Sequence, residues 1–160
     1  MIEKRSRVIA RIKPEMTEKR PEIATGVIIQ NNAGEIFLGK STKFDGLWIV
    51  PGGHLKHGET LRECVEREIQ EELGIKLKAV TFFQVQESIP PSDHDEGSKA
   101  HFVFINFLAE MVAPAAKIVL DSEEYLAFCF ILPEKALAEL ELNDSTREFI
   151  DDYLEHKKEA

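Results

Sequence analysis

Apolar runs separated by turn residues predict several β-strands in the first third of the chain. Ile23–Gln30 is a nearly continuous apolar run, Asn31–Gly34 has the composition of a turn, and Glu35–Lys40 resumes the apolar pattern. This arrangement is typical of a β-hairpin. Leu47–Val50 predicts a further short strand, which Pro51 and the two glycines after it would end.

Two more apolar and aromatic runs, Val80–Val85 and His101–Leu108, predict strands on either side of a long connection, Glu87–Ala100. Because His101–Leu108 is apolar on both faces, we expect it near the centre of a covered sheet. A connection of that length is often functional. Tyr125–Leu132 predicts the last strand.

Helical spacing and capping residues predict a helix in the middle of the chain, Thr60–Leu73. Thr60 is the expected N-cap, and Glu63, three residues later, completes a capping box. Gly74 is the glycine that commonly follows a helix end.

Two further helices are predicted near the end of the sequence. Pro133 begins a short helix that runs to about Leu140. Asn143 or Asp144 caps the last helix, which runs to about Leu154. Because strands and helices alternate without a regular βαβ rhythm, the pattern predicts an α/β fold in which a mixed sheet lies between helices.

Length and composition favour one domain over residues 21–160, which is large enough to bury a core. Cys64 and Cys129 lie in apolar segments and indicate reduced core thiols rather than a disulfide. No apolar run approaches the roughly 20 residues that span a bilayer. The first residues also lack the apolar stretch of a signal peptide, so we expect a cytoplasmic protein without membrane contact.

The net charge of −9 is unevenly distributed along the chain. Residues 1–20 carry seven lysines and arginines against three glutamates, whereas the rest is strongly acidic. An acidic body argues against binding to a nucleic-acid backbone, but a divalent metal could bridge it to a small phosphorylated ligand. The basic segment is either a solvated arm or an added strand or arm that crosses to a second subunit, which would make the protein a homodimer.

The central helix carries acidic residues where apolar ones are expected. Glu68, Glu71 and Glu72 are spaced i, i+3 and i+4 and therefore share a face. A projection of about 100° per residue places all three against the apolar stripe and Arg67 on the opposite side. Clustered carboxylates raise one another's pKa values, so we expect a cation among them. All-oxygen ligands favour Mg²⁺ or Mn²⁺.

Neighbouring residues have simpler interpretations. His54 and His57 have no third histidine or cysteine at zinc-ligand spacing, so we interpret them as exposed loop residues that could contact a substrate. Cys64 shares the apolar stripe of the helix and has no obvious activating base, which favours a core role over a nucleophilic one.

Nine positions at fixed spacing resemble the Nudix box of the Nudix hydrolases, the MutT-like superfamily. The motif covers 23 residues of this chain, and every defining position matches. These positions are Gly53, Glu59, Arg67, Glu68, Ile69, Glu71, Glu72, Gly74 and Ile75.

The resemblance implies an α/β/α sandwich with a mixed sheet. It also implies Mg²⁺-dependent hydrolysis of a nucleoside diphosphate linked to another moiety, as in a nucleotide sugar, ADP-ribose or a nucleoside triphosphate. By position, Glu71 and Glu72 correspond to the main metal-binding glutamates of the family. Glu68 corresponds to its metal-binding or general-base glutamate, and the carbonyl of Gly52 often reaches the metal.

Further roles follow from the same resemblance. Arg67 would orient the glutamates, and Glu59 would hold the preceding loop to the helix. The remaining ligand or base varies within the family and lies outside the motif. Here Glu123 is the expected residue, and the alternatives are Asp121, Glu124, Glu87 and the loop 93–96.

Three stretches, Glu35–Lys40, Leu47–Gly53 and Asn143–Ile150, also resemble GDP-mannose mannosyl hydrolases, which cleave at the sugar carbon and have a degenerate box. This chain keeps the adjacent arginine and glutamate of the box, and it has no histidine in Asp121–Tyr125, where that branch carries a catalytic one. Attack on phosphorus is therefore the expected reaction. A non-enzymatic nucleotide-binding module is the other alternative, although such modules usually lose box glutamates.

Overall fold

The computed structural model describes residues 20–90, 100–112 and 114–160. In these ranges it has seven strands, three α-helices and one short 3-10 helix. The strands are β1 (Glu22–Gln30), β2 (Ile36–Ser41), β3 (Trp48–Ile49), β4 (Gly52–His54), β5 (Leu77–Ser88), β6 (Phe102–Met111) and β7 (Tyr125–Ile131). The helices are α1 (Leu61–Leu73), α2 (Pro133–Glu139) and α3 (Asp144–Glu159), and the 3-10 helix is Ala115–Lys117.

Two sequence predictions fall largely outside these ranges. The basic N-terminal segment ends at residue 20, so all but its last residue lies outside the described part of the chain. The same holds for residues 91–99 of the predicted long connection. Within the described ranges, no helix is both long and apolar enough to cross a bilayer.

All seven strands belong to one mixed sheet. β1 runs parallel to β6 over its whole length, and β6 pairs on its other side with the antiparallel β5. β2 pairs with β3 and β7, and β4 joins the first half of β1. The prediction that β6 lies inside the sheet is confirmed, because β6 is flanked by β1 and β5.

The predicted hairpin is confirmed at its turn, but its two strands soon separate. Asn31 Oδ1 accepts hydrogen bonds from the N–H groups of Ala33 and Glu35, each at 3.0 Å, and so closes the turn. Gln30 is aligned with Ile36. Away from this pair of residues, β1 forms its hydrogen bonds with β4 and β6, while β2 forms its hydrogen bonds with β3 and β7.

The sheet is covered by helices on both faces, which confirms the predicted α/β/α sandwich. α1 packs on one face through a buried cluster that includes Val27, Phe37, Val65, Ile69, Leu73 and Phe107. α2 and α3 pack on the other face through Ile28, Ile36, Leu38, Ala136, Phe149 and Ile150. Alternate residues of β1 therefore serve opposite layers, as the two-residue period of a strand requires.

Local capping signals give the ends of α1 as predicted. Thr60 and Glu63 form the reciprocal capping box, and Gly74 ends the helix in the left-handed conformation at φ 65°. Asn143 caps α3 through a hydrogen bond from the Thr146 N–H. The predicted end of α3 near Leu154 is wrong, because the helix continues to Glu159.

Candidate active site

β4 brings two glycines close to helix α1. Gly53 pairs with Thr25 of β1 and lies against the carboxylate of Glu68, where an added Cβ would collide. A Cβ added at Gly52, at φ 153°, would overlap the Thr25 carbonyl, and the Gly52 N–H donates to Glu72 Oε2 with 3.4 Å between nitrogen and oxygen. Only glycine permits this approach of backbone to carboxylate.

Glu72 is a carboxylate buried between α1 and β7. The residue is 6% exposed, and its Oε2 accepts a hydrogen bond of 2.8 Å from the Tyr125 hydroxyl. Burial raises the pKa of Glu72 to about 8, and the negative charges of Glu68 and Glu124 act in the same direction. The hydrogen bonds from Tyr125 and Gly52 only partly oppose this shift. A cation beside Glu72 would favour its ionised form.

Tyr125, the first residue of β7, donates the hydrogen bond that holds Glu72. Its ring lies so close to Gly39 of β2 that a side chain at that position would overlap it. The ring also meets Phe37 edge-on, with 6.3 Å between centroids. Burial, followed by the charge and hydrogen bond of Glu72, raises the pKa of Tyr125 well above its ordinary range. The hydroxyl therefore stays protonated and available as a donor.

Arg67 is the centre of a second group of carboxylates. Its Nε and Nη2 bind the two oxygens of Glu59 at 2.9 and 2.7 Å, which is a bidentate pair. Its Nη1 binds Glu68 at 2.8 Å and Glu71 at 3.2 Å. The hydrogen bond from Arg67, followed by one from the Lys56 N–H, lowers the pKa of Glu59 to about 2.

The segment before β7 closes the other side of the site. The Asp121 N–H donates to the Glu72 carbonyl at 2.9 Å, which fixes this segment to the end of α1. The Glu124 carboxylate binds Lys43 Nζ at 2.6 Å and is one of the charges that raise the pKa of Glu72. Glu123 is exposed, and it contacts the neighbouring loop through its backbone carbonyl, which accepts from the Thr42 hydroxyl.

The structure thus brings most of the predicted site residues together, with differences at three positions. Glu68 and Glu72 lie on the inner side of α1 as predicted, but the Glu71 side chain is 53% exposed. Arg67 does not point away into solvent, since its side chain folds back to Glu59 and is only 22% exposed. Glu124 rather than Glu123 acts on Glu72, so the geometry favours a different member of the predicted set.

Two residues of the site, Tyr125 and Lys43, were not predicted. Tyr125 lies in an apolar strand, and nothing in the sequence distinguishes it from a core aromatic residue. Strand alternation would place Glu123 on the same face as Tyr125. That rule fails here because residues 122–124 form a turn rather than part of the strand.

The histidines near the helix are exposed and the cysteine is buried, as predicted. His54 and His57 are exposed, and His54 Nε2 lies 2.5 Å from a Glu22 oxygen. Cys64 is buried, with its sulfur near the Thr25 hydroxyl and the Gly53 carbonyl. Burial raises the pKa of the Cys64 thiol, which agrees with the predicted core role.

The donor chemistry of the site fits a hard divalent cation. Glu68, Glu72 and Glu124 present carboxylate oxygens at the end of α1 that faces β4 and β7, and burial leaves Glu72 in need of positive charge. In the described ranges, no group of three or more acidic, histidine or cysteine side chains is placed so that it could hold a metal ion by itself. Mg²⁺ does not need one, because it usually binds one or two carboxylates together with water and substrate phosphates.

Comparisons with known proteins agree with this geometry. Residues 20–153 match the NUDIX domain family. The nucleoside triphosphatase NudI of Escherichia fergusonii is 30% identical over 106 residues, which are 65% of this chain and 74% of the relative.

Solved structures give the same result. The MutT Nudix hydrolase from Burkholderia pseudomallei superposes with a TM-score of 0.69 at 27% identity, over 84% of this chain and 98% of that one. The MutT protein from Methanosarcina mazei Go1 superposes with a TM-score of 0.69 at 26% identity, over 88% and 98%. Members of this family generally use a divalent metal such as Mg²⁺. The chain therefore belongs to the Nudix domain family and is a Nudix pyrophosphohydrolase.

Proposed function

We propose that the protein uses Mg²⁺ to hydrolyse a nucleoside triphosphate, by attack of water on phosphorus. The observation that carries the proposal is the buried Glu72 carboxylate, which lies beside Glu68 and Glu124 and has a pKa raised to about 8. Such a group stabilises a bound cation, and a cation is what a polyphosphate substrate needs beside it. Nucleotide sugars and ADP-ribose have the same pyrophosphate chemistry and are the other candidate substrates.

The residues that would hold Mg²⁺ are Glu71, Glu72, the carbonyl of Gly52 and one carboxylate before β7, with Glu68 beside them. We assign that last place to Glu124 in preference to Glu123, because the charge of Glu124 acts on Glu72. When bound, the metal would neutralise phosphate oxygens and make a water more acidic. Glu71 is 53% exposed and would meet the metal at the rim of the site.

Arg67 and Glu59 hold Glu68 in place beside the proposed metal site. Arg67 Nη1 holds one oxygen of Glu68, which leaves the other oxygen free to accept a proton from the attacking water. Glu59 fixes the guanidinium by two hydrogen bonds and also accepts the Lys56 N–H at 2.7 Å. We therefore propose Glu68 as the general base and Arg67 and Glu59 as its positioning residues.

The preference for a triphosphate substrate rests on the relatives. The NudI proteins of Escherichia fergusonii and of an Enterobacter species are described as nucleoside triphosphatases, and both are 30% identical to this chain. The Enterobacter protein is matched over 87% of its length. The aligned region therefore includes nearly the whole relative and supports a shared substrate class.

Hydrolysis in ¹⁸O-labelled water tests the proposal. Nucleoside triphosphates, a nucleotide sugar and ADP-ribose are each incubated with the protein and Mg²⁺, and the products are separated and weighed by mass spectrometry. We expect the fastest turnover on a triphosphate, with one ¹⁸O in a phosphate product. Glu68→Gln should slow this reaction, and Glu66→Gln, on the exposed side of the same helix, should not.

The alternative chemistry gives a different result. Attack at a sugar carbon would release a nucleoside diphosphate and a free sugar that carries the label. Label found only in such a sugar would contradict attack on phosphorus. Faster turnover of ADP-ribose or a nucleotide sugar, with label in phosphate, would keep the mechanism and overturn the substrate assignment.

A further inference from the structure

The two oxygens of Glu72 have different surroundings. Oε2 accepts hydrogen bonds from the Tyr125 hydroxyl at 2.8 Å and from the Gly52 N–H at 3.4 Å, so two donors share one oxygen. An ionised carboxylate oxygen has about two lone pairs with which it can accept a hydrogen bond or bind a metal. The protein therefore already uses Oε2, and a metal at Glu72 would bind through the other oxygen, Oε1.

An irregularity in β7 brings Tyr125 to the same side of the sheet as Glu72. In the second half of β7, even-numbered residues pack toward α1 and odd-numbered residues toward α2 and α3. Strict alternation would place Tyr125 on the side away from α1. The pairing register shifts between Lys40 and Ser41 of β2, which makes Leu126 an extra residue in β7. Because of this bulge, Tyr125 packs in the core beneath α1.

Packing then fixes the Tyr125 hydroxyl in this place. Tyr125 is 4% exposed, and its ring meets Phe37 edge-on. The ring also fills the space beside Gly39, where an added Cβ would collide with two ring carbons. Because neighbouring residues hold the ring, the hydroxyl stays beside Glu72, and the restriction on Oε2 is part of the fold.

The number of oxygens that a glutamate offers affects which ion it binds best. Ca²⁺ takes about six to eight oxygen ligands in a flexible arrangement and can use both oxygens of one carboxylate. Mg²⁺ is smaller, requires an octahedral arrangement and usually keeps several of its waters. A glutamate that offers one oxygen therefore withholds a ligand that Ca²⁺ can use and Mg²⁺ does not need. Glu68 beside the site is restricted in the same way, because its Oε1 accepts from Arg67 Nη1 at 2.8 Å.

We propose that Tyr125 makes the metal site select Mg²⁺ over Ca²⁺, because its hydrogen bond holds Glu72 as a one-oxygen ligand. Tyr125 is a positioning residue, since it acts on the metal only through Glu72. Without the hydroxyl, Oε2 regains a lone pair and Glu72 can bind Ca²⁺ through both oxygens. This inference rests on the metal site of the proposed function and adds to it a residue that determines ion specificity.

Competition between metal ions tests the proposal without any substrate. Mn²⁺ is bound to chelator-treated protein and is then displaced by Mg²⁺ or by Ca²⁺ in separate titrations, while free Mn²⁺ is followed by electron paramagnetic resonance. The quantity compared is the ratio of the Ca²⁺ and Mg²⁺ dissociation constants. In Tyr125→Phe, which keeps the ring, we expect this ratio to shift in favour of Ca²⁺ by about fivefold, the scale of one hydrogen bond.

Two further variants separate this role from a general effect on the fold. Tyr153→Phe removes a hydroxyl from the buried tyrosine of α3, on the other face of the sheet, and should leave the ratio unchanged. Gly39→Ala keeps the Tyr125 hydroxyl but forces the ring to move. We therefore expect its ratio to shift in favour of Ca²⁺, as in Tyr125→Phe. Circular dichroism shows whether each variant is folded.

Three results would overturn the role of Tyr125 while the metal site stands. They are an unaltered ratio in Tyr125→Phe, equal weakening of both ions in that variant, and an equal shift of the ratio in Tyr153→Phe. Equal weakening is what a purely structural role predicts, because it damages the site for both ions alike. Absence of Mn²⁺ binding to the unchanged protein would instead contradict the proposed metal site itself, and the selectivity with it.

Discussion

Helix α1 and the loop before it present carboxylates to two different environments. At one, Glu59 and Glu68 share the guanidinium of Arg67, and the pKa of Glu59 is lowered to about 2. At the other, Glu72 is buried beside Tyr125, and its pKa is raised to about 8. The residues belong to one motif, but in the described ranges only the first group binds a cation directly, since Lys43 binds Glu124 and not Glu72.

The difference shows which carboxylates serve the fold and which are available to a ligand. Both oxygens of Glu59 are engaged by Arg67, and one also accepts the Lys56 N–H, so this residue fixes the loop before α1. Glu72 accepts one strong and one long hydrogen bond. Its burial disfavours the charged form until a cation arrives. We therefore propose that the functional cation binds at Glu72, whereas the Arg67 guanidinium is the cation that serves the fold.

Removal of divalent metal should have the largest effect. If Glu72 and its neighbours need an external cation, turnover should fall at least about 10³-fold with excess chelator, more than the loss of one charge-stabilising group. Addition of Mg²⁺ should restore it. Circular dichroism before and after chelation controls for unfolding. Unchanged turnover after exhaustive chelation would contradict a metal-dependent reaction.

Glu72→Gln tests the need for a metal at Glu72 by removing one charged ligand. We expect turnover to fall by at least about 10²-fold, the scale of losing a positioned catalytic or charge-stabilising group. The fold should persist, because the change removes repulsion from Glu68 and Glu124 as well as a ligand. Glu66→Gln is the matched control, since this glutamate is exposed on the same helix. Near-normal turnover of Glu72→Gln would move the metal site elsewhere.

Tyr125→Phe removes the donor that holds Glu72. We expect the free energy of unfolding to fall by about 1–3 kcal/mol, the usual effect of leaving a buried acceptor without its partner. Chemical denaturation measures this change. Above pH 8, where Glu72 is ionised, the same substitution should cost less in a Glu72→Gln background, because the buried charge is gone. Equal costs in both backgrounds above pH 8 would show that the hydroxyl does not stabilise the Glu72 charge.

Acidification tests the pair formed by Glu59 and Arg67. Here we expect the smallest effect, a change in the free energy of unfolding at low pH. The folded pKa of Glu59 is about 2, below its ordinary value of 4.5. Its contribution to stability is therefore present above pH 4.5 and is lost as the pH falls towards 2. Glu59→Gln should flatten the pH dependence of unfolding in this window. Identical pH profiles for the two proteins would mean that the Arg67 pair adds nothing to stability.

The sequence predicts the framework well where local signals decide the structure. The capping box at Thr60 and the glycine at 74 gave the ends of α1, because capping depends on neighbouring residues alone. The end of α3 was wrong because Glu155–Glu159 has no apolar periodicity, although its glutamates and lysines favour helix. β4 was not predicted as a strand, since glycines become a strand there only by pairing with β1.

The site was predictable only in part. The motif gave Glu68 and Glu72 because a helical period fixes which residues share the buried face. It could not give Tyr125 or Lys43, because these residues reach the site through the pairing of β2 with β7 and the loop that follows β2. Contacts between distant segments depend on tertiary packing, which a local pattern does not contain.

Direct measurement of cation binding tests the central claim, that a divalent metal completes the site at Glu72. Chelator-treated protein is titrated with Mn²⁺, and free Mn²⁺ is followed by electron paramagnetic resonance without substrate. We expect one tight site in the unchanged protein and in Glu66→Gln, and binding at least about tenfold weaker in Glu72→Gln, where a charged ligand is lost. Equal Mn²⁺ binding by Glu72→Gln and the unchanged protein would contradict the account.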